Sequence, residues 1–119
     1  MITELKEAPK ASERLAVKSN GRVVFLKLSD VDWIEAAHNY VELHTGKESH
    51  LLRESLNAIE TRLPPEKFVR ISRSTIVNID RVKELRPLFH GEYSVTLHNG
   101  ARLTLSRRYR DQLPRLGLD

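Results

Sequence analysis

The sequence predicts a mostly β fold built from many short antiparallel strands, with one or two short helices. Apolar and polar residues alternate along most of the chain from Leu15 onward, which is typical of half-buried strands. Turn-forming residues separate these alternating segments, and only two stretches space their apolar residues as a helix would. The predicted fold class is therefore mostly β, with neighbouring strands paired antiparallel through tight turns.

The Asn20-Gly21 dipeptide is the clearest turn, because this pair suits the positive φ angles of a two-residue hairpin. It predicts that Ser19 pairs with Arg22. In that register the apolar pairs are Val17 with Val24 and Leu15 with Leu26. Further turns are predicted at residues 45–48, 89–92 and 98–101.

Two short helices interrupt the strands. Ser55 is a suitable N-cap for the first, whose apolar residues recur at helical spacing through Leu63 until Pro64 ends it. The second is predicted at residues 107–113, with Ser106 as its N-cap and Pro114 at its end.

The 119 residues are enough for one domain, which we place at residues 15–119. Residues 1–14 are polar and without periodicity, which is typical of a linker or a disordered N-terminal segment. No apolar run is long enough to span a bilayer, so no membrane partner is predicted and a cytoplasmic location is expected. The chain has no Cys, which excludes disulfides and thiolate metal sites.

The positive charge lies in the C-terminal half. Residues 1–66 contain 9 Lys+Arg against 11 Asp+Glu, whereas residues 67–119 contain 11 against 5, nine of the eleven being Arg. Because the guanidinium group favours bidentate contacts with phosphate and guanine, this half is predicted to face a polyanion.

The stretch from Phe68 to Arg81 carries the strongest local signal. Two apolar strand segments flank a polar interruption, Ser72-Arg73-Ser74. A loop of this kind on a rigid scaffold suits phosphate and base-edge recognition, although an ordinary solvated turn would give the same pattern. We expect Arg73 to enter a groove, Arg70 to bind phosphate or brace a carboxylate on the opposite side, and Asn78 to be a structural turn residue.

Two other segments offer similar chemistry. His38 and Asn39 follow a predicted strand, and they can reach phosphate, guanine or adenine edges, while Tyr40 is expected to pack with its hydroxyl at the rim. Arg107 and Arg108 open the last helix, where cations oppose the helix dipole and an external anion would compensate them.

Three blocks of sequence resemble the LytTR family of bacterial DNA-binding domains. They are W-I-E-A-A-H-N-Y-V at 33–41, R-I-S-R-S-T-I-V-N at 70–78 and L-T-L-S-R-R-Y at 103–109, in the family's order and spacing. Ser72 stands where the family more often has His. The resemblance covers roughly residues 15–116.

The resemblance implies an elongated arrangement of small antiparallel sheets. It implies sequence-specific binding of double-stranded DNA by a transcriptional regulator, with loops in successive major grooves and a dimer on paired repeats. It also implies an upstream receiver or sensor domain, which this chain lacks, so a fragment or a stand-alone regulator is expected. The predicted DNA contacts are His38, Asn39, Arg70, Ser72, Arg73, Ser74, Arg107 and Arg108. Among them, the resemblance favours His38, Asn39, Arg107 and Arg108.

Two other functions could use the same arginines. Single-stranded RNA binding would need exposed aromatic platforms, and most of the seven aromatic residues occupy core-like positions. A module that docks an acidic protein partner is the second alternative. No nucleophile with a base, no Gly-rich phosphate loop and no third ligand for a His44 and His50 metal site is evident, so we predict no enzyme, cofactor or metal.

Overall fold

The computed structural model describes residues 14–19 and 21–118. Residues 1–13 of the predicted linker lie outside the described residues. Asn20 of the first turn and Asp119 also lie outside them. Arg14, which we assigned to the linker, is already paired with Lys27 in the first strand pair.

Ten strands form three antiparallel sheets in the described part of the chain, which confirms the predicted fold class. The strands are β1 Arg14–Ser19, β2 Arg22–Lys27, β3 Trp33–Ala37, β4 Tyr40–Thr45, β5 Glu48–Leu52, β6 Phe68–Ser72, β7 Thr75–Asn78, β8 Val82–Pro87, β9 Tyr93–Leu97 and β10 Arg102–Leu105. The first sheet is the β1–β2 hairpin, the second has the order β5-β4-β3-β7-β6, and the third has the order β10-β9-β8.

The predicted register of the first hairpin is confirmed. Ser19 pairs with Arg22, which places Val17 opposite Val24 in the β1–β2 hairpin. Gly46, at φ +62°, lies in the turn that joins β4 to β5. Turns at residues 89–92 and 98–101 connect β8 to β9 and β9 to β10.

Two hydrophobic cores lie on the two faces of the five-stranded sheet. The first core joins the inner face of the β1–β2 hairpin and the helix residues Leu56 and Ile59 to Ile34 of β3. The second core joins the three-stranded sheet and the C-terminal segment to the other face. The β6–β7 hairpin contributes to both cores, because side chains of a strand alternate between its faces. Phe68 and Ile76 belong to the first core, and Val69, Ile71 and Val77 belong to the second.

The first helix, α1, spans Leu56–Glu60 and is shorter than predicted. Ser55 caps it as expected, with its Oγ accepting from the amide of Ala58 at 3.0 Å. Leu63 lies beyond the helix yet is buried in the first core, which explains why the apolar spacing continued to that residue.

The C-terminal segment differs from the prediction. It is a run of 3₁₀ turns, Arg107–Leu116, with a break in helical geometry at Tyr109. Pro114 does not end it, because a proline can open a new turn, where its missing N–H is not needed. The segment ends at Gly117, whose φ is +99°. None of the helices in the described part of the chain combines the length and apolar character needed to cross a bilayer.

We expect Ile71→Ala to lower the free energy of unfolding by about 2–5 kcal/mol, because it would open a cavity in the second core beside the loop at the end of β6. Ile71 is completely buried. Leu51→Ala is the matched control, because that side chain is 53% exposed, and its cost should stay under about 1 kcal/mol. Urea unfolding of the two variants checks this, and equal costs would contradict the assigned packing.

Candidate nucleic-acid interface

The loop of residues 72–74 joins β6 to β7 at the rim between the two cores. The strand register shifts between Arg70 and Ser72, which shapes the end of β6. The Oγ of Ser72 then accepts from the amide of Ser74 at 3.2 Å and closes the loop. Arg73 at the tip is exposed. The local structure thus leaves Arg73 exposed at the tip of the loop, and its entry into a groove stays a prediction.

Arg70 holds this loop from beneath. Its Nε donates to the carbonyl of Ser72 at 2.9 Å, and its Nη2 donates to the carbonyl of Arg73. Its Nη1 donates to Asn57 Oδ1 at 2.9 Å and to Glu60 Oε1 at 2.8 Å, both from the α1 region. The Arg70 side chain is only 13% exposed. Of the two roles predicted for Arg70, the structure shows the bracing of a carboxylate.

A two-residue turn, His38-Asn39, lies beside the loop. Ala37 pairs with Tyr40 across this turn, and His38 adopts a positive φ of 59°. The amide of Ala36 donates to the carbonyl of Ser74 at 2.9 Å, which ties the end of β3 to the loop. The prediction that Tyr40 packs is wrong, because Tyr40 is 39% exposed.

The arginine-bearing start of the C-terminal segment is tied to the same hairpin. The amide of Ser106 donates to the carbonyl of Ile71 at 2.9 Å. Ser106 occupies the N-cap position, but its side chain makes no capping hydrogen bond, so that part of the prediction is wrong. The first turn is closed instead by the amide of Tyr109, which donates to the Ser106 carbonyl at 2.9 Å. Arg107 and Arg108 are exposed.

These three segments enclose two adjoining recesses. The larger, the arginine recess, has a volume of about 740 Å³ and is lined by Ser72, Arg73, Ser74, His90, Glu92, Ser106, Arg107 and Arg108. The second, the hairpin recess, has a volume of about 440 Å³, and its lining includes His38, Tyr40, Asn57, Arg70, Arg73 and Tyr109. Arg73 lines both. Of the predicted site residues only Asn39 lies outside both linings, next to His38 in the turn.

Three arginines on this face form no ion pair among the described residues. Among residues 14–19 and 21–118, the arginines in ion pairs are Arg62, Arg70, Arg81 and Arg86. The guanidinium groups of Arg73, Arg107 and Arg108 enter none of these pairs, nor any side-chain hydrogen bond within the described residues. Cations gathered on one open surface without carboxylate partners favour an anionic ligand, and a DNA backbone is one.

Comparison with known proteins agrees with this chemistry. The LytTr DNA-binding domain model matches residues 21–117 of the sequence. The chain belongs to the LytTR family. A LytTr DNA-binding domain from Bacillus cereus superposes with a TM-score of 0.78 at 25% identity, over 87% of this chain and 95% of that structure.

Similar full-length proteins are bacterial regulators. The LytTR chain is 28% identical over 118 residues to the sensory transduction protein LytT of Bacillus anthracis. The matched region covers 98% of this chain and 48% of that protein. It is 31% identical over 97 residues to the transcriptional regulatory protein LytR of Staphylococcus aureus, which is 82% of this chain and 39% of that protein. The chain thus spans about half the length of the curated relatives it matches, or less. Family and relatives confirm that this LytTR domain is not an enzyme.

Sequence reasoning missed several residues of this face. His90 and Glu92 come from the β8–β9 connection, which we predicted only as a turn. Asn57 and Glu60, which hold Arg70, lie 13 and 10 residues before it on the exposed side of α1. No local pattern marks such partners, because the contact depends on how α1 packs against β6.

The two histidines of the β4–β5 hairpin do not face each other as a pair of metal ligands would. His44 pairs with Ser49 and His50 with Leu43, so the two imidazoles lie on opposite faces of the sheet. The ring of His44 stacks on Trp33 at 3.9 Å, and its Nε2 lies 2.9 Å from Glu35 Oε1. Potential ligand atoms of Glu35, Glu42 and His44 lie within 4.8 Å of one another, a cluster that the sequence did not indicate. Glu35 and Glu42 lie directly opposite each other on β3 and β4, where like charges repel. The contact with His44 offsets this repulsion, which explains the grouping without a metal ion.

We expect Arg70→Gln to increase hydrogen exchange of the amides in residues 72–75, because the shorter side chain cannot reach both α1 and the loop carbonyls. Arg86→Gln is the control, since Arg86 pairs with Glu84 on β8, away from the loop, and its side chain is 72% exposed. Amide exchange followed by NMR is the measurement. Unchanged protection of residues 72–75 in Arg70→Gln would show that the loop does not depend on Arg70.

Proposed function

We propose that this LytTR domain binds double-stranded DNA at a specific sequence and reads the major groove through its loop residues, as part of a transcriptional regulator. The observation that carries the proposal is the convergence of three segments on one face. The 36–40 and 106–108 segments are each joined to the β6–β7 hairpin by a backbone hydrogen bond of 2.9 Å. That shared face presents the three uncompensated guanidinium groups.

We assign base reading to the residues at the tips. Arg73 lies between the two recesses and can present its guanidinium fork to guanine O6 and N7. Asn39 ends a two-residue turn and can bond an adenine edge through its amide, while Arg108 provides a second fork. His38 lines the hairpin recess, where it can reach a phosphate or a guanine.

We assign phosphate contacts to three other residues that line the arginine recess. Arg107 provides charge, and Ser72 and Ser74 provide short hydroxyl donors. Such contacts fix the position of the protein on the duplex without reporting its sequence.

Arg70 acts in this proposal through the loop. Its hydrogen bonds within the protein occupy four of its five N–H groups, which leaves little capacity for a phosphate. It therefore positions Arg73 for the groove, and the phosphate role that we also predicted for Arg70 becomes secondary.

The wider biological setting is part of the same proposal. We propose that a receiver or sensor domain accompanies this one in the regulator, and relatives more than twice as long as the matched region support this proposal. We propose a cytoplasmic protein that binds paired DNA repeats as a dimer, with each domain occupying one repeat.

The experiment begins with selection of binding sites from randomised duplexes. We then expect Arg73→Ala to cost about 1–3 kcal/mol at the selected site and to relax the preference at one base-pair position, because a fork on a base edge would be lost. Arg107→Ala should weaken selected and random duplexes about equally and make the salt slope shallower by about one. Fluorescence anisotropy at several salt concentrations, with a panel of single-base variants, measures both effects.

Arg102→Ala is the matched control. Arg102 is exposed at the start of β10, beside the turn whose Asn99 bonds Asp32, at the other end of the molecule. Wild-type affinity should fall by roughly 10²–10⁴ between 50 and 200 mM salt. A flat salt dependence, or stronger competition from single-stranded RNA than from the duplex, would contradict the proposed function. A uniform loss of affinity in Arg73→Ala with intact base preference would make the 72–74 loop an anchor and not a reader.

A further inference from the structure

The turn that joins β8 to β9, Phe89–Gly91, is closed by two backbone hydrogen bonds. The amide of Leu88 donates to the carbonyl of Glu92 at 2.7 Å, and the amide of Glu92 donates to the carbonyl of Phe89 at 3.3 Å. His90 and Gly91 follow each other with φ angles of +62° and +83°. Histidine is among the non-glycine residues that adopt this region more often, and the two consecutive positive φ angles define the shape of the turn.

The turn packs against the arginine-bearing segment. A Cβ on Gly91 would lie 3.1 Å from Cγ and 3.2 Å from Cδ of Arg107, and 3.3 Å from Nη1 of Arg110. The absence of a side chain at Gly91 therefore lets the turn lie directly against the stem of Arg107. As a result, the turn and the arginines present one continuous surface.

The side chains of the turn extend that surface. His90 lines the arginine recess together with Arg107, Arg108 and the 72–74 loop. Phe89 is 84% exposed, more than any other large hydrophobic side chain among the described residues. A closed turn thus holds an exposed aromatic ring 6.5 Å from the ring of His90, a residue of the arginine recess.

We propose that the Phe89–Gly91 turn is a fourth DNA-contacting element of this domain, an inference that rests on the proposed function. A ring N–H of His90 donates to the phosphate that Arg107 binds, and Phe89 packs against the sugar or a thymine methyl group just beyond it. Glu92, on the same recess wall, repels phosphate and so confines it to the Arg107 side. Duplex DNA is the occupant favoured by charge complementarity and by continuity with the arginine recess.

The test uses the full chain and the duplex selected with the wild-type protein. Phe89→Ala removes the ring, and His90→Asn removes the imidazole while keeping a residue that tolerates positive φ. Each should lower affinity roughly fivefold to tenfold, the loss expected for one ordered contact of about 1–1.4 kcal/mol. Hydroxyl-radical footprinting should show lost protection at one end of the site. Phe25→Ala is the matched control, because Phe25 is 59% exposed on the β1–β2 hairpin, and it should bind like the wild type.

Arg108→Ala separates this inference from the proposed function. If Arg108→Ala loses binding while Phe89→Ala and His90→Asn keep wild-type affinity and footprint, the turn does not contact DNA and only the present inference fails. The inference also fails if the two variants bind DNA normally but lose activation of transcription, because the turn then docks a protein. If the wild type selects no duplex, both proposals fail. His90→Gly also removes the imidazole, but glycine suits the observed φ. If His90→Asn loses affinity only because the turn backbone is disturbed, His90→Gly should bind like the wild type. That result would refute the His90 contact.

Discussion

Burial of both faces of the β6–β7 hairpin is the constraint on which the rest of the structure depends. Phe68 and Ile76 anchor it in the first core, and Val69, Ile71 and Val77 anchor it in the second. A hairpin fixed from both sides cannot tilt toward either core. Its loop therefore has a fixed position at the rim, and the segments on both sides can use it as a common support.

Polar groups are paired with one another at one end of the molecule, whereas cations without ion pairs among the described residues gather at the other. At the end away from the loop, buried Asp32 accepts from the amide of Gly46 at 2.8 Å and from Asn99 at 3.1 Å, and Arg81 lies 3.4 Å away. Asn78 confirms its predicted structural role there by accepting from the amide of Asp80 at 3.0 Å. Those groups satisfy one another. At the loop end, Arg73, Arg107 and Arg108 have no carboxylate partner within the part of the chain that the structure describes. Such like charges repel one another, and a bound polyanion would relieve the repulsion.

Much of this arrangement could be predicted from local sequence. The Asn20-Gly21 pair fixes the first register, because a two-residue turn allows only one coherent apolar face. The loop position of Arg73 followed from polar residues between two apolar strands. The bracing role of Arg70 could not be singled out, since its partners Asn57 and Glu60 reach it only through tertiary packing.

Other features also depended on contacts distant in sequence. The C-terminal segment continues past Pro114 because it is made of 3₁₀ turns and not of α-helix, and Leu113 and Leu116 still pack on the second core. His90 joins the arginine recess only because β8 and β9 bring their turn back beside Arg107. Tyr40 stays exposed because it begins β4 at the hairpin tip, beyond both cores.

An NMR titration of the ¹⁵N-labelled chain with its selected duplex tests the central claim most directly, namely that three segments form one DNA-binding face supported by the β6–β7 hairpin. We expect the amides of residues 38–39, 72–74 and 106–108 to shift together and to saturate at the same ratio of duplex to protein. Amides around Asp32, including Gly46 and Asn99, should remain unchanged. Shifts confined to one of the three segments, or centred on the Asp32 end, would contradict a single DNA-binding face at the loop end.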